Sequence, residues 1–112
     1  MQDPPPPRRR DLALLGTHDT ATFAAWWAEE GDGTDPLAAL DRLQQELGRS
    51  AARWVLANLE DQWGEPEPQN RPGLGPEAHP SWRRRTARAV DDLGDGPADL
   101  LDSLHSSRGG RP

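Results

Sequence analysis

The sequence predicts a mainly α-helical fragment with one short strand, and three observations lead to that reading. Apolar residues recur at helical spacing in several separate segments. A single apolar run, "LALLG" at 12–16, is too short for a helix and is closed by a glycine. Apolar residues make up only 33% of the 112 residues, against about 45–50%, glycine included, in ordinary globular domains. Glycine (11) and proline (12) together come to nearly twice their usual share of roughly 12%. So much of the chain cannot feed a core, and its stability as a lone unit is in question.

Each element follows from its local chemistry. Residues 1–10, "MQDPPPPRRR", form a Pro/Arg-rich tail whose prolines favour an extended polyproline conformation. The tail reads as a linker, with a proline-rich ligand for a partner domain as the other option. "LALLG" reads as a buried strand. Thr20 or Thr22 then caps a helix that sets Phe23, Trp26 and Trp27 on one face. "EEGDGTD" ends that helix, Asp35 caps the next, Pro36 sits at its first position, and Leu37, Leu40, Leu43 and Leu47 make its apolar stripe. Gly48 is expected to close it. Ser50 is expected to cap a third helix with Trp54, Val55 and Leu59 inward. The stretch 64–80, "GEPEPQNRPGLGPEAHP", is a long loop without helix or strand. "SWRRRTARAVDDL" resumes a helical pattern, and "PADLLDSLH" supplies a short helix with Pro97 at its start, before a disordered tail. One strand cannot make a sheet, so its partners are expected in sequence outside this chain.

The formal charge of −6 argues against general binding to nucleic acid. All 13 basic residues are arginine, and Lys, Ile, Tyr and Cys are absent, a bias that reads most simply as GC-rich codon usage. With no cysteine there is no disulfide or thiol chemistry, which fits a cytoplasmic protein. No stretch approaches the ~20 apolar residues of a membrane span, and no signal-peptide core is visible at the start. No metal-ligand spacing occurs, so no metal and no cofactor is expected.

The chemical interest lies in "GTHDTATFAAWW". A His-Asp pair just after a buried strand would stand where β/α barrels carry their active sites. Glycosyl transfer passes through an oxocarbenium-like state, which a nearby carboxylate stabilises. Tryptophan faces also suit the apolar side of a sugar ring. The plainer alternative is that Asp19 caps the following helix and that Trp26 and Trp27 are core. Arg83, Arg84 and Arg85 read as solvated surface or as a source of ion pairs, and His79 and His105 join no constellation.

"LLGTHDTATFAAWW" resembles the Gly-Thr-His-Asp segment of the amylomaltases, the 4-alpha-glucanotransferases of glycoside hydrolase family 77. A second stretch, "VLANLEDQWGEPEPQNRPGLGPEAHPSWRRR", is similar to that family's C-terminal part, with its Asn-x-Pro-Gly turn and Trp-Arg segment, and follows in the same order. The resemblance covers roughly residues 11–95 and leaves the first ten residues and a short helix and tail (96–112) without a counterpart. It implies the C-terminal part of a (β/α)8 barrel and an enzyme that passes an α-1,4-glucan segment to the 4-hydroxyl of an acceptor glucose or glucan, with retention. It makes Asp19 the transition-state-stabilising carboxylate. Thr17, His18 and Asn70 become substrate-binding residues, and Asn70, Pro72 and Gly73 form a turn near the active face. Trp82 and Arg83 begin a segment packed near the barrel's end. Leu74 stands where the family commonly has Thr, and Ser81 where it commonly has Asn.

The implied partners are α-1,4-glucans (maltooligosaccharides) and the N-terminal portion of the barrel, with no nucleic acid and no membrane. Retention needs a nucleophilic carboxylate and an acid/base carboxyl about 5–5.5 Å apart. The family takes both from earlier strands, and no other carboxylate here has a context that suits either role. The isolated chain is therefore expected to be inactive. The alternatives are a non-catalytic interaction module or a decayed remnant.

Overall fold

The longest helix is set by the most local of signals. Asp35 accepts a hydrogen bond from the Ala38 N–H, Pro36 occupies the first position, and helix α2 runs Pro36–Arg49. In the computed structural model, which describes residues 5–109, it is preceded by strand β1 (Leu12–Ala13) and helix α1 (Phe23–Glu30). Strand β2 (Trp54–Val55), 3-10 turns at Glu60–Trp63 and Val90–Asp92, and helix α3 (Asp95–Ser107) follow. The family of elements is thus mostly helical, as expected. Part of the proline run (1–4) and the end of the tail (110–112) lie outside the described residues.

Helix α1 starts where Thr22 caps the Ala25 N–H and stops at Gly31, whose N–H reaches the Trp27 carbonyl. Its apolar face buries Phe23 and Trp27 against Ala39 and Leu40 of α2, with Leu37, Leu43 and Leu100 at the margin. The Phe23 and Trp27 rings stack at 5.8 Å, and Trp27 Nε1 donates to the Thr34 carbonyl, so the buried indole leaves no orphaned donor. Trp26 was expected on the same buried face, but it is 44% exposed. Adjacent residues on a helix point about 100° apart, and α2 covers only the Trp27 side.

Three expectations are corrected. The strand does not lack a partner: Leu12 pairs with Trp54 and Ala13 with Val55 in a parallel two-stranded sheet. The segment after Ser50 is accordingly not a helix. The Arg53 N–H donates to the Asp11 carbonyl and the Leu56 N–H to the Ala13 carbonyl, and these bonds hold the segment extended. Aromatic and β-branched residues suit that conformation. Trp54 and Leu59 do not point inward; they are 55% and 47% exposed. Gly48 does not end α2, because the helix continues to Arg49 and the Ser50 N–H closes it on the Leu47 carbonyl. Gly48 instead lets α3 approach, since a Cβ there would lie 1.9 Å from Ser107 Oγ and 3.2 Å from the Leu104 carbonyl.

"SWRRRTARAVDDL" also departs from the helical reading, forming turns and the short Val90–Asp92 3-10 turn. Helix α3 is longer than expected and begins at Asp95, with Pro97 in the first turn, where a missing N–H is harmless. Its Arg108 cap residue donates to the Gly48, Ala52 and Arg53 carbonyls, tying the end of α3 to the link between α2 and β2. The loop 64–80 is irregular throughout, as its prolines and glycines require.

Candidate functional site

The Gly-Thr-His-Asp segment leaves β1 as a tight turn. The Thr17 N–H donates to Thr20 Oγ1, Thr20 Oγ1 donates to the Thr17 carbonyl, and Thr17 Oγ1 accepts from the Asp19 N–H. Thr17 thus shapes the turn, while His18 and Asp19 project from it. The turn is seated from beneath. Asn58 Nδ2 donates to the Gly16 carbonyl and to Asp61 Oδ2, and Asp61 Oδ1 accepts the Phe23 N–H. A carboxylate 38 positions away therefore satisfies the first amide of α1. Below it, Gln44 and Gln62 exchange amide hydrogen bonds, and Gln62 Nε2 also donates to the Asn58 carbonyl.

The long loop brings the second motif to the first. Asn70 Nδ2 donates to Asp19 Oδ1 at 2.7 Å across 51 positions of sequence. His18 Nε2 lies 3.4 Å from the same oxygen. The His18 ring faces the Trp82 indole with centroids 5.4 Å apart. Pro72 and Gly73 follow Asn70 in an exposed turn, with Gly73 at φ +81°. The Arg71 N–H donates to Ser81 Oγ, which also bonds His79 Nδ1, and the Trp82 N–H donates to the Gln69 carbonyl at 2.8 Å. His79 therefore does join a small cluster. Trp82 takes φ +63°, a conformation a bulky side chain rarely adopts and one that costs on the order of 1–3 kcal/mol.

The assembled group is a shallow, open surface. The His18 and Asp19 side chains are 61% and 52% exposed. Among the described residues the contacts to the Asp19 carboxylate, from Asn70 and His18, are both at Oδ1, which leaves the half-exposed group with hydrogen-bonding capacity to spare. A flat apolar face (Trp82), an imidazole, an amide and a half-engaged carboxylate together make a suitable surface for a sugar ring. A separate cavity of about 600 Å³, bounded by α2, the Glu60–Trp63 turn and α3, contains none of these residues. Among the described residues no three His, Cys, Asp or Glu side chains converge as for a metal ion, and no helix is long and apolar enough to cross a membrane.

Sequence reasoning missed the supports. Asp61 is buried, and that burial pushes its carboxyl above the ordinary value; bonds from the Phe23 N–H and Asn58 pull it down, and the Glu60 charge pushes it up. Glu65 is only 2% exposed. Burial acts to raise it, but the Ala87 N–H, Arg84 and Trp63 Nε1 all donate to its carboxylate and together hold it below the ordinary value. Arg84 is thus an ion-pair partner, one of the two readings its cluster allowed, while Arg83 is exposed. No local pattern marks Asp61 or Glu65, because the partners that give them their roles, the Phe23 N–H for Asp61 and Arg84 with the Ala87 N–H for Glu65, lie 19 to 38 positions away.

A model of glycoside hydrolase family 77, described as 4-alpha-glucanotransferase, matches residues 2–90. The chain belongs to that family. The matched span includes both motifs that meet at Asp19 and ends before α3. No curated protein and no solved structure matches the chain.

Proposed function

We propose that this chain supplies one wall of a 4-alpha-glucanotransferase active site, of a (β/α)8 barrel enzyme that moves α-1,4-glucan segments to the 4-hydroxyl of an acceptor with retention. The supporting observation is the 2.7 Å bond from Asn70 to Asp19, which unites two motifs of a family-77 chain at one carboxylate. In this reading Asp19 holds hydroxyls of the reacting glucose more tightly as positive charge develops at the anomeric carbon. His18 hydrogen-bonds the same sugar, and Asn70 contacts it while holding Asp19. The Trp82 face covers the ring's apolar side.

Retention also requires two further carboxyls, nucleophile and acid/base, about 5–5.5 Å apart. Among the described residues the side chains that contact the Asp19 carboxylate are His18 and Asn70, neither of which can serve as that pair. The reading therefore assigns the two carboxyls to the rest of the barrel and makes the isolated chain inactive, since loss of a nucleophile from a jointly acting set costs about 10⁶ in rate. The test is Asp19→Asn in the complete enzyme. Transfer between maltooligosaccharides should fall on the order of 10²–10³-fold, with the thermal midpoint unchanged because the side chain is exposed. Full activity in that variant would remove Asp19 from the mechanism.

A further inference from the structure

We infer that Glu65 is a positioning residue for this site: through Arg84 and the Ala87 N–H it anchors the segment that carries Trp82 against His18. The inference rests on the reading that the His18–Trp82 surface binds the glucan. Residues 81–87 form no helix or strand, so their place is decided by individual bonds. Two of these bonds run to the exposed loop, from the Trp82 N–H to the Gln69 carbonyl and from the Arg71 N–H to Ser81 Oγ. Short-range bonds add local turns, and two longer-range ones meet at a buried group: Arg84 Nη1 lies 2.7 Å from Glu65 Oε1, and the Ala87 N–H donates to Oε2 at 3.0 Å. Trp63 Nε1 donates to that same oxygen, fixing the carboxylate to the Glu60–Trp63 turn, and Arg84 Nη2 reaches the Glu67 carbonyl.

Trp82 needs such an anchor. Its left-handed backbone is unfavourable for a large side chain and persists only where the surroundings over-determine it. Two residues further on, Arg84 begins the attachment that prevents the segment from relaxing. Charge-assisted bonds of this kind are shorter and stronger than neutral ones, and Glu65, 2% exposed, has little water to compete for it. The loop bonds at Gln69 and Ser81 then set the ring's final direction.

The test is proton NMR of the full chain, comparing two sets of ring-to-ring cross-relaxation peaks in wild type, Glu65→Leu and Arg84→Met. The His18–Trp82 peaks report the site, and the Phe23–Trp27 peaks report the core. In both variants the first set is expected to be lost while the second is kept, and Arg84→Lys, which retains a cation, should restore the first set in part. Persistence of the His18–Trp82 peaks in either folded variant overturns the inference. Loss of both sets together in both variants also overturns it, by making Glu65 and Arg84 general stability residues. The readout needs no sugar, so a failure of glucan binding with these contacts intact would count against the functional reading alone.

Discussion

Asp61 offers the sharpest test of how the site is supported. The residue is 5% exposed, and its carboxylate accepts the Phe23 N–H at 2.9 Å and Asn58 Nδ2 at 3.3 Å. Replacing it with alanine orphans the first amide of α1 in a buried place, at about 1–3 kcal/mol. For a domain of this size 1 kcal/mol moves the midpoint by roughly 4–8 °C, so a cost of about 2 kcal/mol lowers it by roughly 8–16 °C. Asn in its place keeps an oxygen for the Phe23 N–H and sheds the buried charge. The pH dependence separates the two contributions. Because burial raises the folded carboxyl above its ordinary 3.8, the stabilisation it gives is fully present below the unfolded value and is lost as pH rises through the folded one. Wild type should therefore lose ground to Asp61→Asn on going from acid to neutral pH, while Asp61→Ala lies below both throughout. Thermal melts followed by circular dichroism over that range decide the matter. An alanine variant as stable as wild type at every pH, or a wild type gaining on Asp61→Asn as pH rises, would refute the reasoning.

Other perturbations test the packing. Gly48→Val puts a branched side chain where even a Cβ meets Ser107 Oγ at 1.9 Å and Leu104 Cδ1 at 3.1 Å. It should cost about 1–3 kcal/mol, with hydrogen exchange in α3 rising before that in α1. In the Gln44–Gln62 pair, either single change to Leu leaves a buried amide short of a partner and costs about 1–3 kcal/mol, whereas the double change should cost much less than the sum. Urea titrations of the four proteins give that coupling directly.

What could be read from the sequence was what depends on near neighbours. The α2 cap at Asp35, the proline after it, the Thr22 cap and the structureless 64–80 loop are decided within a few residues, and each is present. Trp54 and Val55 have the same apolar character in a helix or a strand, and the choice was made by Asp11 and Ala13, some forty positions earlier. The "SWRRRTARAVDDL" segment shows a helical pattern, yet Arg84 and Ala87 are drawn to a buried glutamate instead. His18 and Asp19 drew attention by their place after an apolar run, whereas Asn70 could be named in advance only because two motifs appeared together in a known order. That Asn70 would bond Asp19 depends on a loop whose path no local rule predicts, and that Asp61 would seat the turn beneath depends on the Glu60–Trp63 turn meeting the start of α1, 38 positions earlier.

The parallel pairing of Leu12 with Trp54 also has a kinetic consequence. Its ladder joins two two-residue strands across a span that contains all of α1 and α2, so ring closure must be complete before the few hydrogen bonds repay it. The α1–α2 hairpin, with its nearby Phe23, Trp27 and Leu40 contacts, can collapse long before that. The turn bearing His18 and Asp19 lies between this sheet and the hairpin, and its own bonds to Asn58 and Asn70 span 42 and 51 positions, so they too wait on long-range closure.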